Sequence, residues 1–244
     1  MQRSVVLVHG AWHGAWTWDR VLPELSAAGV ACVAVDLPGH GEDTSAFGDL
    51  HSDAARVGEV INQIDGEVVL VGHSYGGAVI SQAGIHPAVQ HLVYLAAFAL
   101  DVGESCVSAA AGVAPGLISY EGRPNLGAGF VLNADGMIQL DPSTAKECLY
   151  NDCDDDAVDW AVARLGLQPL ITLQQEVTHA AWREKGATYV VCQHDMAVHP
   201  DLQRIMARRC RSVTEWPTDH SPFLCRPELV IELLIDLAGG TAHG

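Results

Sequence analysis

The segment Gly72-His73-Ser74-Tyr75-Gly76 places a serine between two glycines, at the end of an apolar run over residues 67–71 and just before a helix-compatible stretch over residues 78–83. A strand that turns sharply into a helix leaves no room for side chains beside the turn. Gly72 and Gly76 remove the Cβ clashes, while Ser74 takes the strained backbone and presents its hydroxyl away from the sheet. The helix behind it aims unpaired N–H groups and the positive end of its dipole at the place where negative charge develops when a serine attacks a carbonyl. Glycine-rich chains produce such pentapeptides by chance. Here the strand before and the helix after are independent requirements, and both are met, so the pattern predicts Ser74 as a nucleophile.

A serine hydroxyl is a poor nucleophile at neutral pH and needs a base within hydrogen-bond reach, itself oriented by an acid. In sheets with this turn the partners come later in the chain, acid before histidine, each in a loop at the carboxyl end of a strand. His220 follows a short strand pattern over residues 212–216, and Asp195 follows one over residues 188–192. The other late histidines, His179, His194 and His199, read as surface residues. Asp219 adjoins His220 and is badly placed to reach its far ring nitrogen, and Asp201 falls inside a helix pattern, so Asp195 is the expected acid. The oxyanion donors are expected to be the backbone N–H of Tyr75, directly after the nucleophile, and that of Ala11 in the loop after the first strand, with Trp12 as the alternative to Ala11. Trp12, His13, Tyr75 and Phe98 are expected to line a small apolar pocket, against the competing reading that the aromatics are ordinary core. No metal is expected, because His9, His13, His40 and His73 lack helical i, i+4 spacing and an accompanying carboxylate.

These residues need elements to hold them. Residues 4–9 and 30–35 are uninterrupted β-rich runs of the kind buried on both faces of a parallel sheet. A helix pattern runs through Trp18, Val21, Leu22 and Leu25 until Gly29, and Ser52 is expected to cap a helix carrying Val57, Val60, Ile61 and Ile64. A further strand over residues 89–95 completes a strict alternation that calls for a right-handed, doubly wound, mostly parallel sheet of the α/β class. The rhythm then stops. From residue 101 to 186 a Gly- and Pro-punctuated stretch precedes helix-like segments at 143–151, 154–164 and 170–182. Afterwards the sheet pattern resumes, and a helix over residues 228–237 begins with Pro227 suited to its first turn. The expectation is one domain, with residues 1–100 and 187–244 as the core and residues 101–186 inserted as a lid over the ligand-binding end of the sheet.

Composition excludes several classes. The 244 residues carry a formal charge of −17 and only two lysines, which argues against nucleic acid or an anionic membrane as a partner. No apolar run approaches a membrane span, and Met1-Gln2-Arg3 leads directly into a strand without a leader-like segment, so a cytoplasmic protein is expected. Seven cysteines without a C-x-x-C pair argue against both a disulfide framework and a zinc site. The acidic run Asp152, Asp154, Asp155 and Asp156 lacks the glycine and distal glutamate of a calcium loop and reads as a solvated face.

Taken together, Val8-His9-Gly10-Ala11-Trp12-His13-Gly14-Ala15-Trp16, Asp36-Leu37-Pro38-Gly39-His40-Gly41, Gly72-His73-Ser74-Tyr75-Gly76-Gly77, the Asp195 segment and Asp219-His220-Ser221-Pro222-Phe223 resemble the α/β-hydrolase superfamily. The similarity is to the branch that holds plant methylesterases and hydroxynitrile lyases, and it covers the core far better than the insert. The resemblance implies an α/β-hydrolase fold with a cap and a cofactor-free serine hydrolase acting on a small carboxylic ester. Ser74, His220 and Asp195 match the family's nucleophile, base and acid, and Ala11 and Tyr75 match its oxyanion donors. A homodimer through apolar lid faces is the assembly that similar plant enzymes imply. Two other functions stand beside the esterase. One is a ligand-binding receptor on the same fold, for which a complete set of three residues would be superfluous. The other is cyanohydrin cleavage, whose enzymes in this branch carry a threonine after the strand-end histidine and a lysine after the catalytic one. Here those positions are Gly10 and Ser221.

Overall fold

The computed structural model describes residues 3–114 and 116–239, so the Met1-Gln2 start lies outside the described residues. In chain order, β1 (Ser4–Val8) leads through a 3-10 turn to α1 (Leu22–Ala27) and β2 (Cys32–Val35). Then come α2 (Leu50–Ile61), β3 (Val68–His73), α3 (Gly76–Ala83) and β4 (Val89–Leu95). Between β4 and the next strand of the main sheet lie α4 (Cys106–Ala111), β5 (Phe130–Leu132), β6 (Met137–Leu140), α5 (Pro142–Leu149), α6 (Asp155–Val162), β7 (Gln168–Pro169) and α7 (Leu170–Gln174). The chain closes with β8 (Gly186–Cys192), α8 (Pro200–Ala207), β9 (Ser212–Trp216), the single turn α9 (Pro222–Cys225) and α10 (Pro227–Ala238).

Six strands form the central sheet in the order β2-β1-β3-β4-β8-β9, every neighbouring pair parallel. This is the doubly wound parallel sheet that the alternation of elements predicts and the α/β-hydrolase fold that the resemblance implies. The Val/Leu runs occupy its middle: Val5 to Val8 and Val68 to Val71 are fully buried, as strands covered by helices on both faces must be. The register sets Val8 beside Gly72 and Gly72 beside Tyr94, so the carboxyl ends of β1, β3 and β4 finish at one level and their following loops share one rim.

Three expectations need correction. Asp49, not Ser52, caps α2: its carboxylate accepts the Ser52 N–H at 2.9 Å while Ser52 Oγ accepts the Asp49 N–H at 2.7 Å, a reciprocal capping box with Ser52 in the third helical position. The helix-like stretch at 170–182 is α-helical only to Gln174 and resumes as a short 3-10 turn at Ala181–Arg183, because the backbone between is taken by a neighbouring segment. Val177 donates to Glu104 O at 2.9 Å and accepts from Gly103 N at 3.0 Å. The Gly-rich stretch also holds a hairpin. β5 and β6 pair antiparallel around a turn in which Asn133 Oδ1 accepts from Asp135 and Met137 N–H, and β7 adds a third strand. Residues 101–186 thus carry their own small sheet, with Leu117, Val131, Leu132 and Ile171 more than half exposed. No helix among the described residues is long and apolar enough to cross a membrane.

Candidate active site

The turn after β3 is as tight as the glycines imply. A Cβ on Gly72 would lie 2.4 Å from Gly76 O, and one on Gly76 would lie 2.6 Å from His9 O. Ser74 between them has φ 53°, a left-handed conformation that costs a non-glycine residue of order 1–3 kcal/mol and persists because its surroundings over-determine it. Those surroundings are backbone: Ser74 N–H donates to Leu95 O at 3.2 Å, and Ser74 O accepts from Gly77 at 3.0 Å and Phe98 at 3.1 Å. Tyr75 caps α3, and its phenol leaves the rim to donate to Asp53 Oδ2 on α2 at 2.5 Å.

His220, delivered by the loop after β9, places Nδ1 2.7 Å from Asp195 Oδ2, with both side chains buried. A carboxylate only accepts, so the pairing assigns the proton to Nδ1 and leaves Nε2 as the bare acceptor. The Asp195 carboxylate is itself fixed by Ala197 N–H at 2.7 Å, Val198 N–H at 2.8 Å and Gln203 Nε2 at 2.7 Å. The two rival acids are occupied elsewhere. Asp219 takes the N–H groups of Asp152 and Ser221, each at 2.9 Å, and Asp201 pairs with Arg204 at 2.8 Å. His73, buried and directly before Ser74, donates from Nε2 to His220 O at 2.8 Å and so ties the histidine loop to the serine turn.

In the loop after β1 the two proposed donors separate. Trp12 N–H is already given to Gln168 Oε1 at 3.0 Å, whereas the N–H groups of Ala11 and Tyr75 have no protein acceptor among the described residues. His13 donates from Nδ1 to Ala11 O at 2.6 Å and accepts at Nε2 from Tyr150 OH at 2.7 Å. Burial lowers its pKa to about 4, so the ring is neutral across the physiological range. Burial pulls His9, His40 and His73 in the same direction. His9 is consumed between Gly10 O and Leu37 N, and His40 sets its two nitrogens 3.0 Å from Pro38 O and Gln168 Oε1. Among the described residues the groups that gather metal-type ligand atoms are instead Cys153, Asp219 and Cys225, where both thiols face the Asp219 carboxylate. No local spacing announces that cluster, since Cys153 comes from the insert.

Ser74, His220, Ala11, Trp12, His13, Tyr75 and Phe98 line one cavity of about 170 Å³, closed by Val107, Leu126, Phe130, Leu149 and Leu173 from residues 101–186. Among the described residues, no Asp, Glu, Lys or Arg side chain is in its wall. Trp12 is both lining and packing, since its ring lies tilted against Phe130 with centroids 5.3 Å apart and its indole donates to Ile138 O at 3.1 Å. Three residues that support this arrangement escape motif reading: Gln203, Gln168 and Asp53. Asp53 alone left a trace in the sequence, as an acid on the apolar stripe Leu50, Ala54, Val57 and Ile61.

Comparison with known proteins follows the same lines. The profile of the alpha/beta hydrolase family matches residues 5–233. The chain is 30% identical to Methylesterase 2 of Arabidopsis thaliana, over 97% of this chain and 96% of that protein. It is 31% identical to a carbendazim hydrolyzing esterase of Nocardioides sp. (strain SG-4G), over 70% of this chain and 71% of the other. Among solved structures it superposes on a pyrethroid hydrolase from Sphingobium faniae JZ-2 with a TM-score of 0.83 and 25% identity, covering 97% of each chain. A match along nearly the whole sequence, on the fold and rim described above, means that the chain belongs to the alpha/beta hydrolase family.

Proposed function

We propose that this hydrolase is a serine esterase that cleaves a small, uncharged carboxylic ester through an acyl-enzyme, with Ser74 as nucleophile, His220 as general base and acid, and Asp195 as the group that fixes the imidazole. The observation that carries the reading is the 2.7 Å pairing of His220 Nδ1 with a buried, fully bonded Asp195, on the wall of the cavity that also holds Ser74. Ser74 Oγ attacks the ester carbonyl as its proton passes to His220 Nε2. The tetrahedral oxyanion is met by the free N–H groups of Ala11 and Tyr75. Collapse of that intermediate expels the alcohol, which takes the proton from His220. Water then attacks the acyl-enzyme with His220 again as base, releasing the acid and restoring Ser74.

The cavity limits the substrate. An apolar cavity of about 150 Å³ is known to hold benzene, so about 170 Å³ suits an aryl or short branched group beside the reacting carbonyl. A wall without a charged side chain disfavours an ionised substrate, whose desolvation nothing there would offset. The relatives' names, a methylesterase and a pyrethroid hydrolase, support an ester as the bond that is cut.

Turnover of a panel of methyl, aryl and lactone esters tests the reading, with Ser74→Ala as the control. The variant should lose at least about 10³-fold in kcat and should no longer be labelled by a fluorophosphonate. Near wild-type hydrolysis by Ser74→Ala overturns the assignment. Saturable ester binding by the wild-type protein, without labelling of Ser74, would instead favour a receptor.

A further inference from the structure

The peptide unit between Ala11 and Trp12 is gripped at both edges. His13 Nδ1 donates to its carbonyl oxygen at 2.6 Å, and its N–H donates to Gln168 Oε1 at 3.0 Å. Trp12 has φ 65°, the same left-handed region that Ser74 occupies, and it is a bulky residue that adopts this region only under constraint. Residues 138–168 supply that constraint. Gly166 N–H donates to Trp12 O at 2.7 Å, and the Trp12 indole N–H donates to Ile138 O at 3.1 Å. Every polar group of Trp12 is therefore bonded to the segment inserted between β4 and β8.

Gln168 holds the central bond of this set. Its side chain is fully buried, and its amide orientation is fixed because Oε1 must accept from a backbone N–H. Its Nε2 then donates to Thr172 Oγ1 at 2.7 Å, and that hydroxyl passes its own proton to Pro169 O at 2.7 Å. Neither the serine turn nor the histidine loop uses Gln168. Without it, the Trp12 N–H would be left unpaired in a dry interior, and the Ala11–Trp12 peptide would gain by rotating that N–H toward the nearest acceptor. Trp12 lines the same cavity as Ser74, where a substrate oxygen would arrive as an acceptor. Rotation of this peptide also takes Ala11 O off His13 Nδ1 and turns the backbone that joins Ala11 to Trp12, the support against which the Ala11 N–H of the preceding peptide is held.

We propose that Gln168 is a positioning residue for the oxyanion site: its amide holds the Trp12 N–H away from the cavity and fixes the turn at Ala11 and Trp12, so that Ala11, and not Trp12, offers its N–H to the reacting carbonyl. The inference rests on the esterase reading above. It makes the inserted segment part of the chemistry as well as the roof of the pocket, because the group that orients one oxyanion donor comes from residue 168.

The test uses the full-length enzyme and Gln168→Met, which fills a similar volume and offers no comparable acceptor. A donor that acts only on the tetrahedral species should change kcat and leave substrate binding alone. Expected is a fall in kcat of about 10²-fold with KM within about threefold, and a matching loss of affinity for an aryl trifluoromethyl ketone, which forms a tetrahedral adduct on serine. Gln168→Glu keeps an oxygen for the Trp12 N–H and should restore kcat to within about tenfold of wild type. Wild-type kcat and ketone affinity in a folded Gln168→Met overturn the proposal, as does a parallel loss of kcat and ester binding, which marks general disorder. If Gln168→Met does not fold, Gln168→Glu decides: a folded Gln168→Glu with kcat reduced 10²-fold or more overturns it. Turnover that survives Ser74→Ala removes the esterase reading itself, whereas an inactive Ser74→Ala beside a fully active Gln168→Met removes only the role of Gln168.

Discussion

His220 Nδ1 is one of four donors that converge on the carboxylate of Asp195, at 2.7 Å, and the other three come from Ala197, Val198 and Gln203. Two of these are backbone N–H groups of the loop that begins at Asp195, so the carboxylate is locked by its own turn before the histidine reaches it. The imidazole therefore meets a fixed acceptor, and its tautomer is fixed with it.

Asp195→Asn tests that relationship. The amide keeps the shape but can present N–H to Nδ1, which favours the tautomer with the proton on Nε2, the wrong one for taking a proton from Ser74. Loss of about 10³- to 10⁴-fold in kcat with little change in KM is expected in steady-state ester hydrolysis. A loss below tenfold would mean that another acid orients His220.

Gln203→Leu should act on stability more than on chemistry. Gln203 is fully buried, donates to Asp195 Oδ2 and accepts the Cys192 N–H at 2.9 Å. Its removal orphans that N–H and leaves the carboxylate one donor short, which costs roughly 1–3 kcal/mol in denaturant unfolding. Because two backbone donors still hold Asp195, kcat should fall about tenfold or less.

The sequence and the structure agree where the geometry is local. Ser74 is legible because a strand, two glycines and a helix are contiguous, and the β4 run over residues 89–95 is found with its bounds because nothing else in that stretch competes. Gln168 and Gln203 are illegible for the opposite reason. Each works on a partner set by tertiary contact, Gln168 on a residue 156 positions away, and an isolated glutamine carries no spacing that announces it. The hairpin of β5 and β6 is missed because its three- and four-residue strands are too short to show alternation, although Asn133 and Gly136 mark its turn. Ser52 is taken for a cap because the pattern does not show that Leu50 is already buried in the first helical turn.

Asp53→Asn should raise stability in a pH-dependent way. Burial pushes the Asp53 carboxyl up to about 7, from an ordinary value near 4, although the Tyr75 phenol donates to it. A raised folded-state pKa means that the folded protein binds the proton more tightly than the unfolded chain. The associated stability is therefore present below about pH 4 and is lost as pH rises toward 7. Asparagine carries no such charge and still accepts from Tyr75 OH. The advantage of the variant in urea unfolding should be near zero at pH 4, grow through pH 5 and 6, and level off above pH 7 at a few kcal/mol. A constant difference across that range would show that the Asp53 carboxyl ionises in the folded protein as it does in the unfolded chain, without the upward shift.

The last prediction concerns the bond that is broken. Related lyases cleave cyanohydrins with a threonine after the strand-end histidine and a lysine after the catalytic histidine, and the present chain has Gly10 and Ser221 there. From the residues alone, Gly10→Thr with Ser221→Lys should move the activity toward cyanide release. The structure sets a cost on that change. A Cβ at Gly10 would lie 2.9 Å from His73 Nδ1 and 3.0 Å from Ser74 Cβ, so a threonine has to displace the serine turn or the ring that anchors His220. Ser221 is fully buried, with its N–H on Asp219 Oδ1, so a lysine there has to desolvate its ammonium or open the turn. The wild-type enzyme should hydrolyse a small aryl ester and release no cyanide from mandelonitrile above the Ser74→Ala background, since no cation in the cavity wall can hold the departing anion. Gly10→Thr should lower ester turnover at least about tenfold and lower the melting temperature, because the clash falls on the strained backbone that presents Ser74. Efficient cyanide release by the wild-type protein with negligible ester turnover would reverse the assignment, and full ester turnover in Gly10→Thr would show that the serine turn tolerates a side chain that the present packing excludes.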